Sequence, residues 1–99
     1  MAKFLLLWEL DRARMPVDPK ERLAGRTMLL NMVKEDIESG RLTDWGAFPG
    51  ELAGYAIMEG TDQEVLIGTG KYDPYIKFKT HPVLSVNQAL ESVKALSQA

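Results

Sequence analysis

Cysteine is absent from the 99 residues, which excludes disulfides, thiol nucleophiles and zinc–thiolate sites. Histidine occurs once, at position 81, so a metal site would need two subunits or several carboxylates, and none is expected. No cofactor is implied either. Gly68-x-Gly70-Lys71 follows a helical stretch instead of opening one and lacks the spacing of a phosphate loop. The formal net charge is −2 and no basic run exceeds two residues, which argues against nucleic acid or an anionic membrane as partner. No apolar stretch approaches the roughly 20 residues needed to cross a bilayer. Phe4–Trp8 is too short for a signal-peptide core and runs directly into Glu9 and Asp11. A soluble, cytoplasmic protein is the expectation.

What is present is globular in character. Apolar residues make up 45% and charged residues 26%, and this length predicts one domain over residues 1–99. The stretch Gly50–Gly60 is the organising one. Leu52, Gly54, Ala56 and Met58 alternate with Ala53, Tyr55 and Ile57, so both faces of this strand are apolar. It is expected to be central, with helices on one side and something else on the other. Lys3–Leu10 repeats the pattern, with Phe4, Leu6, Trp8 and Leu10 on one face and Leu5, Leu7 and Glu9 on the other.

Between these strands, Asp11–Val17 is a polar loop and Asp18, Pro19 and Glu21 signal a helix start. Leu23, Leu30, Val33 and Ile37 form its predicted buried stripe, with Thr27 inside it and Gly40 ending the helix. Leu42–Phe48 is a second strand, joined through Pro49-Gly50 to the third as a hairpin. Thr61-x-x-Glu64 opens a short helix stopped by Gly68 and Gly70. Ile76–Thr80 alternates with Lys77 and Lys79, which suits a sheet edge. Ser85-x-x-Gln88 opens a last helix with Val86, Ala89, Leu90, Val93 and Leu96 on one face.

The order β-α-β-β-α-β plus a terminal helix predicts an α+β, ferredoxin-like fold with a four-stranded antiparallel sheet. Its first and third strands should be adjacent at the centre, and the right-handed crossover predicts that this pair runs parallel. Helices cover only one face of such a sheet. The second face here is apolar, so a two-fold homodimer with sheets facing each other is expected. The alternative is a terminal helix folded across the second face of its own protomer.

Met15-Pro16-Val17-Asp18, Gly50–Met58, Asp73-Pro74-Tyr75-Ile76 and His81-Pro82 together resemble the dimeric α/β-barrel superfamily, most closely the muconolactone isomerase-like proteins. The resemblance covers most of residues 3–82. It implies barrel-like dimers that handle small organic acids, lactones or related cyclic molecules between their sheets, without a cofactor.

Glu9 is the one ionisable residue inside an apolar strand; facing a cavity it is a candidate general base. Its structural alternative is a solvated strand end paired with Arg12 or Arg14. His81 is a candidate acid/base, or a surface turn residue. Tyr55, Trp8 and Trp45 are candidate pocket walls, with Tyr72 and Tyr75 of the same chemical type, although core packing would use them equally. Arg12, Arg14 and Arg26 could offer a cation to an acidic ligand, or simply be surface charge. The two readings are an isomerase-like enzyme using Glu9 and His81, and a non-catalytic small-molecule-binding or accessory dimer.

Overall fold

The computed structural model describes residues 2–98. The elements are β1 (Lys3–Leu10), α1 (Pro19–Glu38), β2 (Leu42–Ala47), β3 (Ala53–Glu59), α2 (Asp62–Gly70), β4 (Ile76–Val83) and α3 (Val86–Ser97), with a 3-10 turn at Arg12–Arg14 in the first loop. One four-stranded antiparallel sheet has the order β2-β3-β1-β4, an α+β arrangement with a C-terminal helix as expected. The helix starts are those written in the sequence. Asp18 accepts from the Glu21 N–H, and Thr61 with Glu64 and Ser85 with Gln88 form complete capping boxes. Gly40 ends α1 at φ 83° and Gly50 turns the hairpin at φ 81°, a backbone region that glycine enters without penalty.

Four expectations need correction. β1 and β3 are adjacent at the centre but run antiparallel. The crossover through α1 relates β1 to β2, and the tight hairpin then reverses β3 and inserts it between them. On α1 the side facing the sheet carries Leu29, Met32, Val33 and Asp36, whereas Leu23, Leu30 and Ile37 are exposed. The helix is rotated roughly a third of a turn from the predicted orientation, and only Val33 belongs to both stripes. Gly68 and Gly70 lie inside α2, and a Cβ on Gly68 would crowd the Met58 side chain, so its smallness serves close packing. β4 continues through His81 and Pro82 to Val83, against Leu5, Phe4 and Lys3 of β1.

The core lies between the sheet and the helices. Phe4, Leu6, Ala56, Met58, Leu42 and Ile76 supply its floor, and Val33, Val65 and Tyr72 close it from above. The opposite face of the sheet carries Leu5, Leu7, Tyr55 and Ile57 at its centre, and no helix among the described residues covers it. α3 does not fold across that face. Every described residue from Lys79 onward is exposed, and the molecule measures 60 × 26 × 22 Å. Among the described residues, no helix is long and apolar enough to cross a membrane.

Candidate functional site

A cavity of about 210 Å³ lies on the helix side of the sheet. Its floor is strand, because Leu6, Trp8, Ala56 and Met58 project from β1 and β3 toward α1. Trp8 and Trp45 make one wall, stacked at a centroid distance of 5.4 Å with planes 9° apart. The stack exists because β3 carries glycine beneath it: a Cβ on Gly54 would collide with the Trp8 indole. Trp8 Nε1 donates to the Tyr55 carbonyl at 3.2 Å, which fixes the ring edge. Leu29, Leu30 and Val33 of α1 form the roof. The walls are mostly apolar with a few polar groups, which is the usual make-up of a small-molecule pocket.

Those polar groups gather around Asp36. Its carboxylate accepts from Lys71 Nζ at 2.6 Å, Arg41 Nη1 at 2.9 Å and Tyr72 Oη at 2.8 Å. Burial alone would raise the Asp36 pKa, but the hydrogen bonds from Lys71, Tyr72 and Arg41 outweigh it and hold the carboxyl below its usual value. Burial, reinforced by the bond to Asp36, pushes the Tyr72 phenol well up, so it stays a donor. Both cations are paired to this carboxylate, and Glu35 is a second acid acting on the same cluster. At the other end Arg26 and Glu51 line the cavity, and Leu52 is shared with a shallow pocket holding Arg12 and Arg22. Arg22 Nε is the one buried side-chain polar atom without a hydrogen-bond partner among the described residues.

The residues proposed from sequence divide between the two faces. Trp8 and Trp45 line the cavity, as does Arg26. Glu9, Tyr55 and His81 share the uncovered face. Glu9 stands opposite Lys77, and His81 stands opposite Leu5, four residues back along β1. That places the two roughly 13 Å apart along the strands, beyond hydrogen-bond reach of a common atom. Tyr55 donates to Asp44 at 2.9 Å, and this bond raises its pKa. Asp36, Arg41 and Lys71 were not singled out from sequence. Asp36 sits on the side of α1 that the apolar pattern placed toward solvent, and two of its three donors, Lys71 and Tyr72, are remote in the chain. Among the described residues no cluster of His, Asp and Glu could hold a metal ion. No protein-family model matches the sequence, and no curated protein matches it.

Proposed function

We propose that the protein binds a small, largely apolar organic acid in the helix-side cavity and works as a two-fold dimer whose uncovered sheet faces meet. The observation that carries the ligand reading is the cavity itself, walled by the Trp8–Trp45 stack. An apolar cavity of about 150 Å³ admits benzene, so one of about 210 Å³ has room for a single-ring acid. Arg26, which lines the cavity and has no ion pair to a carboxylate among the described residues, favours a carboxylate on the guest. The resemblance to the dimeric α/β-barrel superfamily supports the dimer, and so does the uncovered apolar centre of the sheet.

The separation of Glu9 from His81 favours binding over proton transfer between those two residues within one protomer. The test uses the chain's own fluorophores, since both of its tryptophans line the cavity. Titration with single-ring carboxylic acids should change tryptophan fluorescence and raise the melting temperature. Saturation at 100 times Kd adds about 2.7 kcal/mol. Ala56 is buried in the floor, and Ala56→Leu should fill the cavity and abolish both signals. If no acid in the panel moves either signal, or if Ala56→Leu binds as well as the parent, the cavity is not the site.

A further inference from the structure

α3 has no partner in its own protomer. Its twelve residues form a helix of a length that is marginal in water without tertiary support. Its apolar face is nevertheless bare: Val86, Leu90, Val93 and Leu96 are between 63% and 74% exposed. The connection from β4 is only Leu84-Ser85, and Ser85 is committed to the capping box, so the helix leaves the body in a set direction. The Cα radius of gyration is 16.5 Å, against about 13 Å for a compact chain of this length.

We propose that α3 docks on a second copy of this chain, along the exposed flank of that copy's α1, and closes the cavity mouth beside Leu30. The arrangement rests on the dimer reading above and deepens it. α1 offers a matching surface in Leu23, Leu30 and Ile37, spaced seven residues apart on one flank and 63%, 52% and 45% exposed. That stripe runs roughly 21 Å and the α3 stripe roughly 15 Å, so one helix lies within the length of the other. Leu30 belongs both to the flank and to the cavity lining, so a helix seated there lids the ligand site.

Charge and area favour a second copy as the occupant. On the uncovered face Lys77, Lys79 and His81 lie along β4 at one edge, and Asp44 lies on β2 at the other. A two-fold axis parallel to the strands sets β4 of one copy over β2 of its partner, with Asp44 level with His81 and two residues along from Lys79. α1 packs beside β2, so an arm leaving β4 is delivered to the partner's α1. A stable interface covers about 800 Å² on each partner. Four large apolar side chains amid Glu9 and the β4 cations are a thin basis for that, and two exchanged arms enlarge it.

The chain's lack of cysteine makes the test clean. Leu30 and Leu90 each sit mid-stripe, so a disulfide between Leu30→Cys and Leu90→Cys is insensitive to which way α3 runs. Mixing the two single variants and oxidising should give a covalent heterodimer. Glu35→Cys, exposed on another side of α1, should cross-link to Leu90→Cys at least tenfold less. Light scattering on the unoxidised parent chain gives the mass independently. A dimer with the selective cross-link supports the arm. A dimer in which the double variant closes within one chain, or in which Glu35→Cys links as readily, overturns the arm and leaves the sheet pairing standing. A monomer overturns both.

Discussion

A carboxylate at position 36 is costly to bury, and Arg41 and the neighbours Lys71 and Tyr72 offset that cost by donating to it from two separate parts of the chain. Asp36→Ala would leave a half-buried ammonium and a buried phenol without their acceptor. We expect it to destabilise the fold by about 3 kcal/mol, measured by urea unfolding. The two partners also set opposite pH limits. The folded pKa of Asp36 is depressed, so its contribution is complete above the ordinary value of 3.8 and is lost as pH falls through the lowered one. The pKa of Tyr72 is raised above its ordinary 10, so its contribution is complete below pH 10 and is lost as pH rises through the raised value. Tyr72→Phe should therefore flatten the alkaline limb of the stability profile while the acid limb persists. Gly54 is a second residue with a sharp expectation. Gly54→Ala places a Cβ against Trp8 and the Gly46 carbonyl, and should cost about 1–3 kcal/mol and weaken the near-UV circular dichroism of the stacked indoles.

At the scale of elements, α1 and α3 behave differently although both are well capped. α1 has apolar residues on two flanks, and the sheet takes the flank that brings Asp36 to its donors. Its other flank stays exposed. α3 has a single apolar face, and all of that face is exposed. Because α3 adds nothing to the core of its own protomer, Leu90→Glu combined with Val93→Glu should leave the intrinsic unfolding of a diluted, monomeric body nearly unchanged. In the arm arrangement the same double variant should weaken self-association by at least tenfold, read from the concentration dependence of mass.

For the whole molecule the sheet divides the chemistry. The helix side holds the apolar cavity, both tryptophans and the Asp36 cluster. The uncovered side holds Glu9, Tyr55 and His81 among lysines. If the sheet faces pair as proposed, light scattering should give a dimer mass in the micromolar range, and rising salt should weaken that dimer by screening Lys79 from the partner's Asp44. A mass independent of salt would remove charge pairing from the interface without touching the cavity.

Element identities were legible in the sequence because their causes are local. Asp18-Pro19, Thr61-x-x-Glu64 and Ser85-x-x-Gln88 cap helices through bonds spanning three residues, and alternation on β1 and β3 needs no knowledge of the rest of the chain. Two apolar faces marked both strands as central, and the order of elements placed them side by side. Strand direction was decided by the sheet as a whole, since it depends on which strand the hairpin inserts between its neighbours. The face of α1 was likewise a tertiary choice. A helix with two apolar flanks has no local reason to prefer either, and the flank that packs Leu29, Met32 and Val33 on the sheet is the one that also brings Asp36 to donors at positions 41, 71 and 72. The same holds for the site. Trp8 and Trp45 announced themselves as aromatics on strands, but only the packed sheet stacked them over Gly54 and set them on the opposite side from Glu9 and His81. Local hydrogen bonds and periodicity act over a few residues and can be read along the chain; which buried polar group meets which donor depends on contacts between distant residues that exist only once the chain is folded.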